Sequence, residues 1–153
     1  MSRSIYLDQG LALSPAAFRQ ITALVSPSRL DQSLATDRFT LREVIAHLAD
    51  MEPVFRARME LALRAPGSEV ENFDQDKEAL EKNYASWDVQ KSLTLFAEAR
   101  RKTLELFLSL DERQLALTVK HPILGEVSVF GLGVFLLGHD MYHLEQATAY
   151  LGS

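Results

Sequence analysis

The chain has 153 residues, 47% of them hydrophobic and 24% charged, with a formal net charge of −5 and no cysteine. Such a composition is globular and of a length for one domain, 1–153, with a core of its own. Without cysteine there is no disulfide, thiolate metal site or protein thiol nucleophile, so a metal would have to sit on His, Asp or Glu; the acidic balance speaks against nucleic acid, and the lack of a membrane-length apolar run or a leader pattern against a membrane, which leaves the cytoplasm as the expected address.

Residues 1–12 read as an irregular lead-in. Ser14-Pro15 supplies an N-cap followed by proline at the first helical position, and Phe18, Ile21, Leu24 and Val25 give that helix an inner stripe. Ser26-Pro27-Ser28 ends it, and residues 28–39 are expected to be a loop with at most a turn of helix. Thr40-Leu41-Arg42-Glu43 is a capping box, in which hydroxyl and carboxylate each accept from the other residue's amide. The second helix should run from there to about Arg64, stopped by Pro66-Gly67. Its apolar side carries Val44, Ile45, Leu48, Met51, Phe55, Met59 and Leu63, and on that side also lie His47 and Glu52. Pro53 removes one backbone hydrogen bond and crowds the Ala49 carbonyl, so a kink or a division of the helix is expected there.

Residues 66–86 hold six acids and two lysines. The run reads as a solvated connection with one short helix near Asp76–Asn83, or as a lid over a site. A third long helix should begin near Ser86 or Asp88 and reach about Ser109, with Val89, Leu93, Phe96, Ala97, Leu104, Phe107 and Leu108 inward. Arg100 falls on the same stripe, and an inward arginine is rare unless paired. Glu52 is the matching oddity on the second helix, so the two are predicted to form a partly buried ion pair.

Residues 115–127 mix β-branched residues with His121-Pro122 and Gly125, which predicts an extended crossing with a turn. His121 is expected to be a surface or loop residue and to stand outside any metal site. Ser128 is a plausible N-cap for a last helix ending at Gly152. Along it Leu132, Phe135, Leu136, His139, His143, Ala147 and Tyr150 recur at three- and four-residue steps. His139 and His143 therefore stand one turn apart on one face, where two imidazoles can hold one metal ion. An isolated pair of this kind is also compatible with satisfied core histidines. Asp140, Glu145 and Gln146 are candidates for contacts around such a site, although helix surface and packing positions look the same in sequence.

Four sequence pieces, in this order, resemble the DinB/YfiT-like family of metal-dependent enzymes. They are Glu43–Glu52 on the second helix, Phe96–Arg100 on the third, His121-Pro122-x-x-Gly125 in the crossing, and Gly138-His139-Asp140-x-x-His143-Leu144-Glu145-Gln146 on the last. The resemblance spans about residues 13–150. It departs from the family pattern at Phe39-Thr40, where a Trp-Ser entry is usual, but Thr40 keeps the capping chemistry.

The resemblance implies an all-α four-helix bundle, often a homodimer. It also implies a divalent metal held by one histidine of the second helix and two of the last, here His47, His139 and His143. Three neutral imidazoles suit zinc, nickel or iron, and copper as well. With no fourth protein ligand such a set leaves positions open to water or substrate. Some relatives are transferases or isomerases that use a low-molecular-weight thiol. The expectation is thus a metal-dependent enzyme acting on a small molecule, either a small-thiol-dependent S-transferase or a hydrolase. The alternative is a metal-binding or dimerisation module without catalysis.

Overall fold

The computed structural model describes residues 4–152. In chain order it contains α1 (Ile5–Leu24), a 3-10 turn at Pro27–Arg29, α2 (Leu41–Arg64), α3 (Gln75–Glu81) and a second 3-10 turn at Tyr84–Ser86. Then come α4 (Val89–Ser109), α5 (Glu112–Leu115), β1 (Thr118–His121), β2 (Gly125–Ser128) and α6 (Val129–Thr148). The four long helices form a bundle. Both α1 and α2 pack chiefly on α4 and α6, so the first two long helices lie across a diagonal of the bundle and the last two across the other.

The helix ends follow from their caps. Thr40 and Glu43 form the reciprocal capping box of α2, Asp88 accepts from the Lys91 amide at the start of α4, and Ser128 accepts from the Gly131 amide at the start of α6. Pro53 lies exposed within an unbroken α2, which therefore does not divide. The acidic connection does contain a short helix, α3, capped by Asp74. The crossing is an antiparallel hairpin pairing Thr118 with Ser128 and His121 with Gly125. Gly125 sits at φ +71°, a left-handed conformation that favours glycine. α6 closes at Thr148, and the chain turns on to Leu151.

The lead-in is where sequence expectation fails most clearly. Residues 1–3 lie outside the described residues, but Ile5 to Leu24 is one helix, capped by Ser4 and with Pro15 inside it. Proline at position 15 has no N–H to give the Leu11 carbonyl, which an uninterrupted helix would satisfy. The freed carbonyl instead accepts from Arg100 Nη1 at 2.8 Å. Smaller corrections concern the stripes: Leu24 and Leu108 are exposed, Phe135 lies at the edge of exposure, and Thr22 is buried in the first helix.

Two apolar cores fill the bundle. One gathers Leu11, Phe55, Met59, Phe107, Leu132 and Leu136 near the hairpin; the other gathers Phe18, Ile45, Leu48, Leu93, Phe96 and Ala147 at the opposite end. The hairpin-side core needs Gly133, since a Cβ there would lie 2.7 Å from the Phe107 ring. Each long helix changes from one core to the other near its middle. At that level α2 presents His47 and Glu52, α4 presents Arg100, and α6 presents His139, Asp140 and His143. The centre of the molecule is thus a polar layer between two hydrophobic ones.

Candidate metal centre

Arg100 forms one half of the polar layer. It is 1% exposed, and an unpaired charge at that depth would be strongly unfavourable. Its Nε and Nη2 donate to the two oxygens of Glu52 at 2.7 and 2.8 Å. Nη1 and Nη2 donate to the two oxygens of Asp140 at 2.7 and 2.9 Å. With the bond to Leu11, the guanidinium ties all four long helices together. The predicted Glu52–Arg100 pair is present, fully buried, and has a third member in Asp140.

Beside it lie the histidines. His139 and His143 project from consecutive turns of α6, and His47 meets them from α2, with ring centroids 4.5 to 5.1 Å apart. Each ring offers a nitrogen within 4.8 Å of those of the other two. His47 Nε2 and His139 Nε2 are 3.0 Å apart. Two nitrogens each about 2.1 Å from a common ion, at right to tetrahedral angles, would be separated by about 3.0–3.4 Å. The observed separation therefore suits a shared divalent ion as well as a shared proton. No carboxylate joins the cluster among the described residues.

The surroundings favour the protonation state a metal requires. Burial pushes His47 down to about 3, helped by nearby His143. Burial also lowers His139 well below its ordinary value and lowers His143. Neutral imidazoles, with lone pairs free, are the form that binds metal. Gln146 Oε1 lies 2.7 Å from His143 Nδ1. Because a carbonyl oxygen only accepts, Nδ1 carries the proton and Nε2 is left as the free donor atom. The Nδ1 atoms of His47 and His139 are buried without a partner among the described residues.

One side of the cluster opens on a cavity of about 240 Å³. Met51, Phe73 and Phe135 give it apolar walls, and Arg58 and His121 lie at its polar side. The acidic connection roofs this cavity. Lys82 and Tyr84 both donate to Asp50 of α2, at 2.7 and 2.6 Å, and Phe73 lies 5.9 Å from the His47 ring. Five of the connection's six acids are exposed, while its Phe73 covers the site.

His121, expected as a surface or loop residue, ends β1 at the hairpin turn and is buried, 7% exposed. Its Nδ1 accepts from the amides of Ile123 and Leu124, both at 3.2 Å, which closes the hairpin turn. It stands outside the histidine cluster. Asp140 is buried in the ion network. Glu145 is exposed and faces Arg38 at 3.6 Å. Gln146 touches the cluster directly. Arg58, which sequence reading passed over, is 5% exposed; its place three residues after Phe55 and one before Met59 is the signal that could have found it.

The fold and the cluster together define a four-helix bundle in which three imidazoles converge between the helices. The family model described as the DinB superfamily matches residues 11–147, and the chain belongs to that superfamily. Two proteins of Oceanobacillus iheyensis, each named "Putative metal-dependent hydrolase", are 27% identical over 78% of this chain and 69% of their own, and 26% identical over 88% and 78%. YfiT of Bacillus subtilis, which carries the same name, is 25% identical over 90% of this chain and 80% of its own. The solved structure of YfiT, described as having "an unusual four-helix bundle topology", superposes with a TM-score of 0.85 at 23% identity. That match covers 99% of this chain and 91% of YfiT.

Proposed function

We propose that His47, His139 and His143 hold one divalent ion and that the protein is a metal-dependent enzyme acting on a small molecule. The observation that carries this is the convergence of three neutral imidazoles, with no fourth protein ligand among the described residues, at the wall of a cavity. A closed structural site would use a fourth side chain; an open one leaves room for a reactant. The names of the superfamily relatives support hydrolysis. Zinc, nickel and iron all fit the donor set.

When bound, the ion would supply Lewis acidity, lowering the pKa of a water or thiol placed on it. The chain's own residues do the rest. His47, His139 and His143 leave the charge of the ion uncompensated, because all three are neutral. Gln146 holds the His143 tautomer. Phe73 and Phe135 limit water at the cavity wall. The chain has no cysteine, so in a transfer reaction the thiol must come from a low-molecular-weight cosubstrate, and in hydrolysis water takes its place. The same reading includes a homodimer, using apolar residues that α6 leaves exposed, Val134, Met141 and Tyr142.

Metal analysis of protein prepared without an affinity tag tests the centre. His47→Ala, His139→Ala and His143→Ala should each reduce bound metal to background, and His121→Ala should leave it unchanged. Cobalt in place of the native ion should give a visible spectrum that shifts when a small thiol is added. A spectrum indifferent to thiols and other small ligands would favour the non-catalytic alternative. Sedimentation at micromolar concentration showing only a 17.2 kDa species would remove the dimer.

A further inference from the structure

Arg58 is 5% exposed and lines the cavity beside the histidine cluster. A buried guanidinium normally meets a carboxylate, and the one at Arg100 meets two. Arg58 meets none among the described residues. Its single hydrogen-bond acceptor among the described residues is the Glu71 main-chain carbonyl, which Nη2 reaches at 3.0 Å. The Glu71 carboxylate is close by in the chain yet belongs to an exposed residue and does not pair with it. Phe55 lies under the guanidinium, 6.0 Å from ring centre to Cζ. Nε and Nη1 thus have no protein partner among the described residues, and neither is among the sealed, unsatisfied atoms.

The neighbouring groups add donors. His121 accepts two amides at Nδ1, so in its neutral form the proton is on Nε2 and the ring offers an N–H there. Burial first, and the Arg58 charge second, keep His121 below its ordinary pKa. Asn72 and Gln75, whose side chains carry amide N–H groups, line the same cavity. The cavity therefore has metal-ligand nitrogens at one side and an uncompensated cation with neutral donors at the other.

We propose that Arg58, assisted by His121, is the anchor for a carboxylate of the substrate, making the protein an enzyme for a small organic acid. The inference deepens the metal-centre reading and rests on it for the substrate's orientation, with the reacting group toward the histidines and the carboxylate toward Arg58. One unpaired positive charge matches one negative charge, and a guanidinium that spends one of its five N–H directions on the Glu71 carbonyl keeps a pair of parallel N–H groups along one edge for the two oxygens of a carboxylate. At about 240 Å³ the cavity is smaller than the roughly 300–1,000 Å³ typical of drug-sized ligands, so the acid is small.

The carboxylate anchor is tested without the metal. The full chain, ¹⁵N-labelled and stripped with a chelator, is titrated with butyrate and with butyramide, and amide and Arg58 Nε–H resonances are followed. Saturable shifts with butyrate and at least tenfold weaker binding of butyramide are expected. Arg58→Gln should weaken butyrate at least tenfold; Arg58→Lys, which keeps the charge but not the planar fork, should fall between. Equal binding of the two probes by the native protein would overturn the inference whether or not a variant folds. So would unchanged butyrate binding by a folded Arg58→Gln.

A second arm separates this inference from the metal reading. Cobalt-loaded protein is titrated with 3-mercaptopropionate and with propane-1-thiol. Tighter binding of the mercapto acid, with the advantage lost in Arg58→Gln, supports both. Equal binding of the two thiols overturns the carboxylate anchor and leaves the metal centre standing. If neither thiol perturbs the spectrum while butyrate still binds stripped protein, the anchor stands and the open metal centre falls.

Discussion

The polar layer contains two clusters that share a helix turn and differ in saturation. Around Arg100 every donor is used: five guanidinium N–H directions meet Glu52, Asp140 and the Leu11 carbonyl in five hydrogen bonds. Around His47, His139 and His143 the positions are fixed but the valences are not. Two Nδ1 atoms have no partner among the described residues, two Nε2 atoms face each other at 3.0 Å, and a cavity adjoins. A saturated buried network holds helices in register; an unsaturated one has capacity left for a ligand. Arg58 belongs with the second kind although it is the same residue type as Arg100.

The largest effect expected from this difference is on stability at the saturated cluster. Arg100→Met leaves Glu52 and Asp140 buried together without their counter-charge and should cost about 3–5 kcal/mol in urea unfolding. Replacing Arg100, Glu52 and Asp140 together with apolar residues should recover most of that loss, because the penalty lies in the stranded charges. A single Arg100→Met change that costs less than about 1 kcal/mol would mean the cluster is energetically no more than a surface pair.

An effect that is smaller per residue should appear with pH at the unsaturated cluster in metal-free protein. In the fold His47 is held at about 3 and His139 and His143 are also lowered; in the unfolded chain each titrates near 6.5. Below that value the unfolded chain binds more protons. The stability is therefore fully present above about pH 6.5 and is lost as pH falls toward the folded values, by at most about 1.4 kcal/mol per pH unit for each histidine. Urea midpoints between pH 8 and pH 5 would show this limb, and His47→Gln should flatten it. A profile indifferent to that substitution would show that His47 is not held neutral by burial.

The contrast also explains what could be read from the sequence. Caps at Thr40, Asp88 and Ser128 are local, so the helix starts they mark were legible, as were the histidine stripe and the Glu52–Arg100 oddity. Pro15 was misread because Ser-Pro is equally good as a helix start; only Arg100, 85 positions further on, satisfies the carbonyl that lets the helix continue through it. Asp140 stood out only as a candidate contact around the histidines; its pairing with Arg100 was hidden because α6 is buried against both α1 and α2, so a single apolar stripe does not describe its interior. The burial of His121 and the place of Arg58 were not legible for a related reason. Their burial comes from the connection after α2, where Ser68 and Val70 hydrogen-bond to Lys120 of the hairpin, a long-range contact with no local signature.

The finest test of the comparison is Gln146, the residue through which the protein completes one valence of the open cluster. Its Oε1 fixes the proton of His143 on Nδ1, whereas the Nδ1 atoms of His47 and His139 have no such partner among the described residues. Gln146→Leu keeps the approximate volume and removes the acceptor. It should weaken metal binding about 10–100-fold, the usual cost of losing a group that orients a ligand histidine, while bound metal remains detectable at saturation. Gln146→Glu supplies a stronger acceptor and should bind metal at least as tightly as the native protein. Competition with a chromophoric chelator gives both affinities. If Leu and Glu variants bind alike, the tautomer of His143 is set by packing alone, and the open cluster owes its geometry to the same apolar frame that surrounds it.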